Sequence, residues 1–153
     1  MENISRKSPF TKIYEGELPW VILCSTRNVF SLLSHRPAMP GHILLVPKRE
    51  VATFMDLTLE EMKEFDFLRY LFSKSLLEIF PSKKIWQMVS GFEVNHYHEH
   101  LIPANNGKEI SLQNTSEASL QERQEMGNKI IKILGLFLPE AQSKLSYRKA
   151  LDF

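Results

Sequence analysis

The sequence predicts an α+β fold: an antiparallel β-sheet with one long helix inserted between its strands and an additional C-terminal helix. Three observations carry this. Short apolar, partly β-branched segments alternate with turn residues through the first half of the chain. Two capping boxes, Thr58 with Glu61 and Ser119 with Glu122, each open a stretch with apolar residues at helical spacing. Three histidines, His96, His98 and His100, alternate in a segment of strand character, so a regular strand would aim all three the same way.

The elements follow in order. Residues 1–9 are polar and read as loose. Residues 20–24 and 29–33 are apolar, with the turn-like Ser25-Thr26-Arg27-Asn28 between them, and predict a hairpin. Arg36-Pro37-Ala38-Met39-Pro40-Gly41 is a second turn, because two prolines and a glycine interrupt regular structure. Residues 42–46 form a buried strand stopped by Pro47. Met62, Phe65, Leu68, Phe72, Leu76 and Ile79 make one stripe on the inserted helix, which Pro81 ends. Residues 85–89 and 94–102 are two more strands joined by Ser90-Gly91, and the second carries the histidines. The last helix runs from about 120 to 138, with Met126, Ile130, Ile133, Leu134 and Phe137 on its apolar face and Pro139 as its stop.

Composition limits the function classes. The 153 residues suit a single domain, with a core over 10–104 and a C-terminal helical extension over 105–153. A net charge of +1 argues against broad electrostatic binding of extended nucleic acid, but not against a local nucleotide site. Cys24 is the only cysteine, which excludes an intramolecular disulfide and a CxxC metal knuckle. The opening residues lack the apolar run of a secretory signal, and no segment has the apolar length of a membrane span; the expected location is cytoplasmic.

The histidine row admits three readings. A merely structural row is a poor explanation, because adjacent rings must stay mostly neutral and each needs a partner. A metal site can use adjacent histidines, with His42 or Glu99 as a further ligand. Strand alternation sends Glu99 to the other face, and the outer histidines lie roughly 6.5–7 Å apart while zinc–nitrogen bonds are about 2 Å. Covalent phosphoryl chemistry uses one neutral imidazole as nucleophile and its neighbours as hydrogen-bond donors. The residues alone rank this reading modestly above a metal.

His96-x-His98-x-His100 followed by Leu101-Ile102-Pro103 resembles the signature of the histidine-triad (HIT) superfamily. Phe10-x-x-Ile13-x-x-Gly16-Glu17-x-Pro19 is similar to its opening segment. Pro37-x-x-Pro40-Gly41-His42-Ile43-Leu44-Leu45-Val46-Pro47-Lys48 resembles its second block, and Asp56-Leu57-Thr58-x-Glu60-Glu61 its usual helix start. The resemblance spans about residues 10 to 104, in order. It implies a HIT-like fold, a homodimer, and a small-molecule nucleotide cleaved or transferred at its α-phosphate without metal or other cofactor. It implies that His98 is the nucleophile and becomes transiently nucleotidylated. His100 contacts phosphate and assists the leaving group, His96 orients the row, and His42, Ser34, Ser90 and Gly91 bind substrate.

Four positions depart from that pattern. Phe92 follows Gly91 where the family usually has glutamine. The loop over 88–91 is short. Glu99 replaces an apolar residue and is read as a partner or interface contact. Ser34 stands near a usual ribose-binding Asn or Asp. Ile22, Phe30, Leu32 and Leu44 are read as core ahead of a base pocket, Trp86 and Tyr97 as packing groups, and Lys48 and Arg49 as solvated charges. The expected function is a nucleotide hydrolase or nucleotidyl transferase acting on a phosphoanhydride or phosphoramidate bond. The alternative is a catalytically weak or inactive nucleotide-binding or regulatory protein of the same fold.

Overall fold

The structure is a computed structural model that describes residues 6–81, 83–113, 115–147, 149 and 151–153. Residues 1–5, part of the segment expected to be loose, lie outside the described residues. Five strands form one antiparallel sheet: β1 (Ile22–Ser25), β2 (Val29–Leu33), β3 (Ile43–Pro47), β4 (Lys84–Val89) and β5 (Glu99–Ala104). Their spatial order is β1-β2-β3-β5-β4. Helix α1 (Pro9–Tyr14) precedes the sheet, α2 (Leu59–Ile79) joins β3 to β4, and α3 (Leu120–Lys144) follows β5. The α+β architecture expected from the sequence is what the chain adopts.

Local chemistry explains the main elements. The Thr58 hydroxyl accepts from the Glu61 amide at 3.1 Å, and the Glu61 carboxylate accepts from the Thr58 amide at 2.7 Å, so α2 starts where its capping box lies. The β1–β2 hairpin is pinned to α2 by buried Glu64, whose carboxylate accepts from the Thr26 hydroxyl at 2.5 Å and from the amide and side chain of Asn28 at 2.8 and 2.9 Å. Gly41 turns the chain into β3 at φ +83, and a Cβ there would lie 2.9 Å from the Phe80 ring. Both the backbone angle and the space therefore require glycine.

The sheet has two faces. Leu23, Val29, Leu33, Ile43, Leu45 and Leu101 pack with Phe65, Leu68, Phe72 and Leu76 of α2 and with Ile130 and Leu134 of α3. On the opposite face Phe30, Leu32, Leu44 and Val46 pack with Phe10 and Ile13 of α1, beside Trp20 and Val94.

Three expectations need correction. First, β5 begins at Glu99, so of the three histidines only His100 lies in a paired strand. Pro47 has no amide to extend the β3–β5 ladder, its carbonyl is taken by the His96 ring at 2.8 Å, and the Tyr97 amide goes to Val51 O at 2.6 Å. Second, α3 continues through Pro139 to Lys144. Beyond the proline, Ala141 is fully buried and the Tyr147 ring stacks on Phe67 at 4.3 Å, so tertiary packing holds the turns that local propensity disfavours. Third, α1 stands where no helix was foreseen. Ser8 caps it by accepting from the Thr11 amide at 3.1 Å, and Pro9 occupies its first turn.

Candidate active site

The central strands deliver the histidines to one place. His100 pairs across β5 with Leu44 on one side and Met88 on the other, and its side chain points away from α2. His42 comes from the Pro40-Gly41 turn immediately before β3. His98 lies two residues before His100 and just outside the strand. The rings of His98 and His100 have centroids 5.0 Å apart, and those of His42 and His100 5.1 Å apart. All of these rings are buried.

Burial governs their charge. It lowers His98 below the ordinary imidazole value, and it lowers His100 to about 4 and His42 to about 3, with neighbouring rings adding to the effect. The rings are therefore neutral at neutral pH, and each carries one N–H. The Ala38 amide donates to His42 Nδ1 at 3.1 Å, so His42 holds its proton on Nε2. His42 Nε2 donates to His100 Nδ1 at 2.8 Å, which puts the His100 proton on Nε2. That Nε2–H is buried and has no hydrogen-bond partner among the described residues. His98 Nδ1 donates to the His96 carbonyl at 2.8 Å, which leaves a lone pair on His98 Nε2. A backbone amide and a backbone carbonyl thus set the tautomers of three rings.

His96 behaves differently from the row the sequence implies. Its ring is completely buried and does not line the cavity beside His98. Its Nε2 donates to Pro47 O at 2.8 Å, and its Nδ1 accepts from the Ser8 hydroxyl at 2.5 Å. Phe10 packs its ring against both His96 and His98, with centroids at 5.7 and 4.9 Å. What His96 presents to His98 is its carbonyl. The reason is the missing ladder partner upstream of Glu99, which lets the chain bend and turn the ring inward. Among the described residues, no group of three or more His, Cys, Asp or Glu is arranged to hold a metal ion.

The cavity beside the rings has a volume of about 550 Å³. His98, His100, His42, Ser34 and Ser90 line it. Gly91 and Phe92 do not, and Phe92 is 100% exposed. Leu44 lines the cavity, whereas Phe30 and Leu32 are core beneath it and Ile22 lies half-exposed at the sheet edge. Phe10, Ile13, Leu18, Trp20 and Val94 supply an apolar wall that the sequence did not single out. Only the position of Phe10 and Ile13 in the opening block hinted at it.

Glu99 faces α2, as alternation predicts, and its partners lie within the chain. It accepts from the Tyr97 hydroxyl at 2.8 Å and pairs with Arg69 Nε at 3.3 Å, and burial pushes its carboxyl up. The two cations after β3 are also engaged. Lys48 donates to Thr26 O at 2.7 Å, and Arg49 pairs with Glu61 at 2.9 Å.

The sequence profile of the HIT domain matches residues 15–107. This chain belongs to the HIT domain family. A relative in Dictyostelium discoideum, a bis(5'-adenosyl)-triphosphatase, is 34% identical over 103 residues, which is 61% of this chain and 68% of the relative. An adenosine 5'-monophosphoramidase of Saccharomyces cerevisiae is 28% identical over 100 residues, 65% of this chain and 63% of that enzyme. The fold of a Hit-like protein from Bartonella henselae superposes with a TM-score of 0.73 at 23% identity, covering 83% of this chain and 96% of that one. Curated relatives of this HIT domain are thus named as nucleotide hydrolases, and the fold described above is shared with a solved Hit-like protein. No helix among the described residues is long and apolar enough to cross a membrane.

Proposed function

We propose that the protein cleaves or transfers a nucleotide at its α-phosphate through a covalent nucleotidyl-His98 intermediate. The substrate class is a phosphoanhydride or phosphoramidate. One observation carries this reading: a lone pair on His98 Nε2 and an N–H on His100 Nε2, unpartnered among the described residues, stand at the same cavity, each set by hydrogen bonds to the other ring nitrogen. A nucleophile and a hydrogen-bond donor side by side are what attack at phosphorus requires.

His98 Nε2 attacks phosphorus, and the bond to the leaving group breaks. Positive charge grows on the His98 ring and is stabilised by its Nδ1–H bond to the His96 carbonyl. His100, backed by His42, donates to a phosphate oxygen or to the departing atom. His96 acts as a positioning residue through its carbonyl. Ser34 and Ser90 offer hydroxyls to the ribose and phosphate, while Leu44 and Trp20 cover the base. Gly91, away from the cavity, has no part. Water then releases the nucleoside monophosphate. The exposed edge strand β4, with Val89 60% exposed, is the surface through which two copies would pair, and a monomer at micromolar concentration in an ultracentrifuge would overturn that part.

The test is His98→Asn, assayed with dinucleoside polyphosphates and nucleoside phosphoramidates. The expected outcome is loss of turnover with nucleoside monophosphate binding and thermal stability retained. Turnover at the wild-type rate removes His98 as the nucleophile. Binding by the wild-type protein with no product from any substrate supports the alternative, a non-enzymatic nucleotide-binding protein.

A further inference from the structure

We infer that the segment between β5 and α3 reads the base of the bound nucleotide, an inference that rests on the function proposed above. Leu112, Gln113 and Thr115 line the same cavity as His98 and His100. They lie beyond residue 107, where the HIT domain match ends.

The wall is anchored at one side of the cavity. The Ala118 amide donates to His35 O at 2.8 Å. Arg123, in the first turns of α3, lays its guanidinium 5.4 Å over the Trp20 ring and donates from Nε to Ala118 O at 3.3 Å. Trp20 is itself fixed by an indole bond to Leu33 O at 2.9 Å and by contact with the His35 ring at 4.6 Å. Behind this, α3 is seated on the sheet: a Cβ at Gly127 would lie 3.0 Å from Val21, and Ile130 and Leu134 are fully buried. The C-terminal end of the segment, at Ala118, is therefore held beside Trp20 and His35 by a helix that the core keeps in place.

The chemistry there suits a nucleobase. Trp20 and Leu112 offer flat apolar surface to its faces. The Gln113 amide carries both donor and acceptor, as does the Thr115 hydroxyl, and together they can match the polar edge of one base and leave unpaired groups against another. Hydrogen-bonded pockets discriminate far more sharply than apolar ones, because a mismatched ligand strands polar groups.

Calorimetric titration with AMP, GMP, CMP and UMP tests this. The wild-type protein is expected to prefer one base by about tenfold or more, and Leu112→Ala/Gln113→Ala to compress that preference to about threefold or less at an unchanged melting temperature. Gln113 is exposed, so Gln113→Glu, which replaces the amide donor with a second acceptor at constant shape, is a second variant that folds; it is expected to reorder the four nucleotides. Equal binding of all four by the wild-type protein, or a preference retained by both variants, overturns the inference while the nucleotide site stands. No binding of any monophosphate by the wild-type protein overturns the nucleotide reading, and this inference falls with it.

Discussion

The two faces of β3 and β5 do different work. Toward α2, Ile43, Leu45 and Leu101 are fully buried in one apolar cluster. Toward α1, their strand neighbours Leu44 and His100 stand beside a cavity with His98 and His42. Alternation along the same strands places the packed core on one side and the candidate site on the other. The contrast also explains the rings' low basicity: a strand whose far side is solid core holds His100 where water is scarce, and burial favours the neutral imidazole.

Breaking the chemical face has the largest expected effect. His98→Asn should lower turnover about 10³-fold or more, with chemical denaturation showing wild-type stability. Breaking the packed face should do the reverse. Leu45→Ala is expected to cost about 2–5 kcal/mol in urea denaturation, because it leaves a cavity between β3 and α2.

A pH titration sharpens the comparison, because only the chemical face carries buried imidazoles. His42 and His100 are held at about 3 and about 4, below the ordinary 6.5, so as pH falls the unfolded chain binds their protons first. The contribution of these rings to stability is complete above about pH 6.5 and declines from there toward about pH 4 for His100 and about pH 3 for His42, by about 1.4 kcal/mol per pH unit for each ring. Denaturation measured across that range should show the slope, and His42→Asn should reduce it. The smallest effect belongs to a residue on neither face. Phe92→Ala should change stability by about 0.5 kcal/mol or less and leave turnover unaltered, since Phe92 is fully exposed.

Much of this was legible in local pattern. Capping boxes placed the starts of α2 and α3, and turn residues delimited the β1–β2 hairpin and β3. The alternating histidines and the Pro40-Gly41-His42 turn pointed to the site. What escaped was non-local. Nothing in residues 94–102 announces that the ladder ends at Glu99, because the cause is the missing amide of Pro47, about fifty positions away in sequence. His96 therefore read as a third ring in the row when its side chain belongs to Pro47 and Ser8. Pro139 read as a stop because local rules cannot see Ala141 and Tyr147 entering the core. The wall formed by Leu112, Gln113 and Thr115 lay in a stretch without a motif.

The most direct measurement is rapid base quenching of the wild-type protein during turnover, followed by mass spectrometry of its peptides at alkaline pH. The account predicts a nucleoside monophosphate adduct on the peptide containing His98, stable in base, labile in acid, and absent from His98→Asn. Turnover without any such adduct, or with the adduct on another residue, would contradict it.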